Sequence, residues 1–181
     1  IDFLWPSSQV ALELFKMNQN TNLVKDEVIF NSPIVLYSWD IVTDALLKLG
    51  IVQKLDATYY IVDFPRLINL VVDGKKWADI GLEALFGKIS IISTDPTKSN
   101  SGNMFSGLLA NMLYQEGDIV DEQSIHQVLP TIKLIFTQLG FMEHSSSDLF
   151  QAYLTKGVGD KPIIVGYESQ IVEFSLEHEK L

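Results

Sequence analysis

The residues best suited to chemistry are hydroxyls and a glycine, gathered where a β-branched run meets an amphipathic one. Residues 89–105 read Ile-Ser-Ile-Ile-Ser-Thr-Asp-Pro-Thr-Lys-Ser-Asn-Ser-Gly-Asn-Met-Phe. This pattern predicts a strand that delivers a polar loop to the start of a helix. A helix N-terminus exposes unpaired N–H groups and carries partial positive charge. Ser99, Ser101 and the backbone amides of Gly102 and Asn103 are therefore candidate donors to an oxyanion. Gly102 lacks a side chain, so a ligand could approach its backbone closely. The stretch is not a P-loop, because the Gly-Lys-Ser/Thr ending is missing. The competing reading is a capped helix start behind a polar loop, since serine is a favoured N-cap.

Two further turns repeat the theme. Pro6-Ser7-Ser8 follows the apolar run 2–5, and Gly166-Tyr167-Glu168-Ser169 follows the apolar run 162–165. Ligands of open parallel sheets sit at the carboxyl ends of strands, so several such turns together carry more weight than one. A tyrosine hydroxyl can donate to an anion, while Glu168 would repel one unless turned away. Enzyme chemistry finds little support. His126, His144 and His178 have no metal-ligand spacing, and no Gly-x-Ser-x-Gly elbow accompanies His144 and its neighbouring serines. Asp40 with Asp44, and Asp118 with Asp121, read as solvated helix charges.

The elements that must position these residues alternate between strand and helix. A strand over 2–5 precedes a helix over 9–17, with the Ser7-Ser8 pair at its start. An extended stretch runs over 27–39 with a break near Asn31-Ser32-Pro33. Ser38 caps a helix whose face is Ile41, Val42, Ala45, Leu46 and Leu49, with Gly50 beyond its end. Asp63-Phe64-Pro65 starts another helix; the alternative is a hairpin turning at Asp73-Gly74. Then follow a strand over 88–93, a loop over 94–103, and a helix carrying Met104, Leu108, Leu109 and Met112 that ends at Gly117. Asp121 caps a helix to about Leu139, kinked or restarted at Pro130. Residues 145–148 start a short helix ended by Gly157, and 162–165 form a buried strand followed by a loop over 166–169. This alternation predicts an α/β fold with a largely parallel sheet.

Composition narrows the functions. Lys and Arg total 13 against 23 Asp and Glu, a net charge of -10 over 181 residues. That balance disfavours nucleic acid or an anionic membrane surface as main partner. Arg66 is the single arginine, which excludes an arginine cluster for phosphate. The absence of cysteine removes disulfides, thiol catalysis and thiolate metal sites. No apolar run is long enough for a transmembrane helix. The chain opens on Ile1 rather than Met, as expected of a piece of a longer protein.

In four segments the chain resembles the bacterial extracellular solute-binding proteins of ABC-type uptake systems, with the type 2 periplasmic-binding fold. They are Asp2-Phe-Leu-Trp-Pro-Ser-Ser-Gln9, Phe30-Asn-Ser-Pro-Ile-Val-Leu-Tyr-Ser-Trp39, Ser93-Thr-Asp-Pro-Thr-Lys-Ser-Asn-Ser-Gly-Asn103 and Pro162-Ile-Ile-Val-Gly-Tyr-Glu-Ser-Gln170. They occur in the family's order, and the third looks most like the Ser-Gly turn of oxyanion-binding members. The resemblance implies two α/β lobes joined by crossing strands, with a small-solute or oxyanion ligand in a hinged cleft. Matched by position, Ser7 and Ser8 would donate from one lobe. Ser101, Gly102 and Asn103 would donate from the other, with Thr94 and Ser99 nearby and Tyr167 by the crossing back. Residues 1–38 would be a remnant of the first lobe and a crossing strand, 39–165 the second lobe, and 166–181 the return. The implied partner is an ABC transporter permease, the implied place is extracytoplasmic, and no cofactor is expected. The family's first strand and the end of its first lobe have no match here, nor does a cleft arginine. Neutral donors can still hold an oxyanion, which keeps phosphate, sulfate, molybdate and tungstate all in view. Two other readings remain: a ligand-sensing or partner-binding domain, and a transferase on the same fold, the latter disfavoured by the lack of cysteine and arginine clusters.

Overall fold

The computed structural model describes residues 6, 8–18, 24–114, 119 and 121–178. The strand expected over 2–5, Ser7, the polar residues 19–22 and the helix end expected at Gly117 lie outside them. The chain divides into two compact units, residues 1–32 and 33–181.

In the first unit, α1 (Gln9–Asn18) begins where the serines predict. Ser8 caps it, its Oγ accepting from the Ala11 N–H at 3.3 Å. Lys16 lies between Glu13 at 2.8 Å and Asp26 at 2.7 Å. Those hydrogen bonds, Asp26 first, raise the Lys16 ammonium above its ordinary pKa, and Lys16 in turn lowers Asp26.

The second unit is mixed α/β. It contains β1 (Ile34–Ser38), α2 (Asp40–Lys48), β2 (Val52–Leu55), β3 (Thr58–Ile61) and α3 (Phe64–Val72). After a 3-10 turn at Trp77–Ile80 come α4 (Asn100–Leu113), α5 (Glu122–Leu139), α6 (Ser146–Lys156), β4 (Ile163–Tyr167) and α7 (Glu168–His178). No helix among the described residues is long and apolar enough to cross a membrane.

The sheet departs from the parallel expectation. β1 pairs antiparallel with β4, Ile34 opposite Tyr167 and Ser38 opposite Ile163. β2 and β3 form a separate antiparallel pair, a hairpin that the sequence reading did not anticipate. Among the described residues the parallel element is a single bridge, Ile92 to Ile164, made by Ile92 N–H to Ile163 O and Val165 N–H to Ile92 O, each 2.9 Å. The run 88–93 falls short of a full strand because it divides its bonds. Its first half bonds back to the chain before it, with Ile89 N–H on Lys75 O at 2.7 Å and Lys88 bridging Lys76. Only Ile92 reaches β4.

Strand alternation sends the two faces of this sheet into different cores. Ile34 and Leu36 of β1, Ile89 and Ile91, and Ile163 and Val165 of β4 join the main core with Phe105, Leu109, Ile132 and Ile135. Ile164 turns the other way, onto Leu149, Phe150 and Tyr153 of α6. β4 sits between and is buried from Ile163 to Gly166.

Local chemistry sets the helix ends. The Asp63 side chain accepts from Arg66 N–H at 3.0 Å and Pro65 lies in the first turn, so α3 starts as expected and Asp73-Gly74 is no hairpin. Its Phe64, Leu67, Ile68 and Val71 are buried, each contributing roughly 2 kcal/mol of transfer free energy. Asp121 and Ser145 cap α5 and α6, and α5 runs through the exposed Pro130 without restarting. Ser38 does not cap α2. The cap position is Trp39, whose indole N–H donates to Lys161 O at 2.9 Å rather than capping the helix, and the Ser38 hydroxyl is buried without a hydrogen-bond partner. The loop expected at 166–169 does not form either. Gly166 and Tyr167 complete β4, and α7 begins at Glu168, whose N–H bonds Pro33 O at 3.0 Å.

Candidate functional site

Residues 93–99 form a compact turn that feeds α4. Asp95 builds it. One carboxylate oxygen accepts from Thr97 N–H at 2.9 Å and from the Thr97 hydroxyl at 2.6 Å. The Asp95 carbonyl accepts from Ser99 N–H at 2.9 Å, and Lys98 lies 3.3 Å from the other carboxylate oxygen. The Thr97 bonds, then Lys98, hold the Asp95 carboxyl below its ordinary range. The turn therefore neutralises its own charges.

Helix α4 starts at Asn100, earlier than expected, so Ser101, Gly102 and Asn103 lie within its first turn. The Ser99 side chain makes no capping bond. Its hydroxyl instead lies 3.0 Å from Ser101 Oγ, which lies 2.8 Å from Thr94 Oγ1. Thr94 is fully buried and Ser101 is 1 % exposed, while Ser99 is half-buried. Three hydroxyls joined by two bonds carry one proton more than the bonds consume. With the Thr94 end sealed, Ser99 is the end from which that proton can reach a ligand.

Gly102 serves a different purpose from the one its sequence suggests. A Cβ there would lie 2.3 Å from Thr94 O and 2.9 Å from both Asp95 C and Pro96 N. The space beside its backbone is filled by the protein's own turn. Asn103 is exposed, and its N–H is committed to Ser99 O at 3.0 Å.

Tyr167 meets the same first turn from β4. Its hydroxyl accepts from Asn100 Nδ2 at 2.7 Å, its N–H donates to Gln170 Oε1 at 2.8 Å, and its carbonyl accepts from the Tyr37 hydroxyl. Gln170 in turn donates to Ser146 O at 3.0 Å. Gly166 makes this possible, because a Cβ there would lie 2.6 Å from the Tyr37 ring and 2.8 Å from Gln170 Oε1. The Tyr167 hydroxyl proton in turn points to Met104 Sδ at 3.9 Å, a weak thioether acceptor that a stronger acceptor can replace.

The structure thus gathers Thr94, Ser99, Ser101 and Tyr167 around the α4 N-terminus, with Gly102 as their packing contact and Asn103 on the exposed side. Ser8 caps α1 in the first unit, and Ser7 lies outside the described residues. Sequence reading missed Asn100, Tyr37 and Gln170. Asn100 and Tyr167 are 67 positions apart, so no spacing rule joins them. Arg66 is engaged elsewhere, donating to Leu49 O at 2.6 Å. In the first unit, a separate open cleft of 270 Å³ is lined by Gln9, Leu12, Glu13, Asp26, Glu27 and Val28, an acidic wall that disfavours anions. Comparison with family models, with curated proteins and with solved structures gives no match to this chain.

Proposed function

We propose that the chain is a non-catalytic solute-binding module for a small inorganic oxyanion, serving uptake through an ABC-type permease outside the cytoplasm. The observation that carries this reading is the hydroxyl relay from Thr94 through Ser101 to Ser99 at the start of α4, beside a Tyr167 hydroxyl already accepting from Asn100. An oxyanion, an acceptor-only ligand, would take the Ser99 proton left over by the relay and draw the Tyr167 hydroxyl from its weak Met104 Sδ acceptor, at the positive end of a helix. Ser99 and Tyr167 are the residues in contact; Ser101, Thr94 and Asn100 orient them. The role read here is binding rather than turnover; among the described residues the hydroxyls of Thr94, Ser101 and Ser99 bond to one another.

The test is a thermal-shift and calorimetric panel of phosphate, sulfate, molybdate and tungstate on the chain. Ligand at a hundred times Kd stabilises by about 2.7 kcal/mol. For a chain of this length that raises Tm by roughly 5–10 °C. One oxyanion should give such a shift, and Ser99→Ala or Tyr167→Phe should remove most of it. Silence across the whole panel would sink the reading and favour a ligand-sensing or partner-binding domain.

A further inference from the structure

The β2–β3 hairpin leaves an edge that nothing in the described chain covers. Asp56 takes a positive φ of 54° at the tight two-residue turn. The Val62 N–H donates to Ile51 O at 2.9 Å, which fixes the ladder's phase. Tyr60 and Thr58 therefore exchange bonds with β2, and the N–H and C=O groups of Tyr59 and Ile61 point away from it. Among the described residues β3 pairs with no strand except β2. All its side chains are exposed, with Tyr59 at 46 %, Tyr60 at 50 % and the following Val62 at 50 %. From Ala57 to Val62 there is no charge and no proline, the usual protections of an edge.

We propose that β3 is a self-association edge, pairing antiparallel with β3 of a second copy to form a four-stranded sheet. Charge selects that occupant. The chain carries a net charge of -10, so most approaches of two copies bring carboxylates together. Within the hairpin Lys54 and Asp56 cancel, and β3 itself is neutral, so paired strands bring no charge face to face. The backbone selects the register. The register that uses the outward groups of both Tyr59 and Ile61 in both copies sets Tyr59 opposite Ile61 of the second copy, with the two-fold axis through Tyr60. This places aromatic against β-branched side chains on one face and the Tyr60 pair on the other, both favourable cross-strand combinations. Tyr60 meets its counterpart at a non-hydrogen-bonded position, where Cα atoms approach to about 4.5 Å. One short strand per copy covers less than the roughly 800 Å² per partner of a stable interface, so the association is reversible.

Sedimentation velocity over a concentration series tests this, together with two exposed-site variants. The 20.4 kDa chain should shift towards twice its mass as concentration rises, and more readily at high salt, which screens the carboxylates. Tyr60→Lys puts like charges face to face and should hold it as monomer. Because the chain has no cysteine of its own, Tyr60→Cys gives an unambiguous cross-link. It should form a disulfide dimer under mild oxidation at least about tenfold faster than Tyr59→Cys, whose partner is offset. A monomer at every concentration without a Tyr60→Cys cross-link overturns the proposal. So does a dimer that Tyr60→Lys leaves intact, which puts the interface elsewhere. Protection of the Tyr59 and Ile61 amides from hydrogen exchange in the monomer also overturns it, because another segment then covers the edge.

Discussion

Replacing Gly102 by alanine asks whether the serine turn is closed by the chain or open beside the glycine. The added Cβ would lie 2.3 Å from Thr94 O and 2.9 Å from Asp95 C and Pro96 N. A carbon rests about 3.3 Å or more from a carbonyl oxygen, so the turn must retreat by about 1 Å. Every obstructing atom is backbone, and Pro96 has a fixed φ, so no side chain can swing aside. Overpacking of this kind costs about 1–3 kcal/mol. Helix propensity works in the opposite direction, since alanine is favoured over glycine in a helix by about 1 kcal/mol. Gly107 separates the two effects. It lies in the same helix, and a Cβ there would meet nothing within 4 Å. Gly107→Ala should raise Tm by roughly 2–4 °C, and Gly102→Ala, with a net cost of about 1 kcal/mol, should lower it by roughly 2–4 °C. Urea melts give the same signs as shifts in midpoint at unchanged slope. If Gly102→Ala stabilises as Gly107→Ala does, the closed turn is wrong and the space beside Gly102 is free for a ligand.

Further outcomes follow from the buried hydroxyls and from Tyr153. Ser101→Ala strands the fully buried Thr94 hydroxyl and should cost about 1–3 kcal/mol in a denaturant melt; a neutral result would mean the relay contributes nothing. Ser93 is fully buried and its hydroxyl has no partner, so Ser93→Ala should be neutral or stabilising by about 1 kcal/mol, and a clear loss would reveal a bound water. Burial first, then Asp40 and Tyr37, push the Tyr153 phenol from 10.0 up to about 12. The unfolded chain therefore releases that proton first, and this contribution, full below pH 10.0, is lost as pH rises towards about 12. Tyr153→Phe should flatten the alkaline fall in Tm, and an unchanged slope would assign that fall to other groups.

The elements that were legible are those whose signal is local. Asp63 with Pro65, Asp121, and Ser145 each mark a helix start by a contact three residues long, and the sequence displays all of it. Strand identity was less legible because partners lie far away. Residues 88–93 have the β-branched composition of a strand, yet Lys75 O captures Ile89 N–H before the run reaches β4. The hairpin was missed because its strands bury almost nothing; Val52 alone is buried, so the alternation that marks a half-buried sheet is absent. At the site, the hydroxyls were visible as a cluster, but their rank was not. Ser101 and Gly102 look like the most ligand-ready residues in the sequence, and packing turns both inward. Ser99 and Tyr167 take their place only through contacts with Ser101 and Asn100.

The electrostatics of such a site carry a prediction of opposite sign to that of an arginine-based one. Lys98 is the only basic side chain in residues 93–104, and Asp95 lies 3.3 Å from it. The attraction for an oxyanion then comes from O–H groups and the α4 N-terminus, fixed dipoles whose influence fades within a turn of helix. The chain's net charge of -10 acts over longer distances and repels the same ligand. Salt with a Debye length of about 8 Å at physiological strength screens the second effect far more than the first. Raising ionic strength should therefore leave oxyanion affinity unchanged or tighten it slightly, through a faster on-rate. A cationic site would weaken under the same change, because salt would screen its attraction. Calorimetry of the oxyanion selected from the panel, at about 0.05 M and about 0.5 M NaCl, reads the sign directly. A marked loss of affinity at high salt would show that a lysine holds the ligand, and would move the binding residues away from Ser99 and Tyr167.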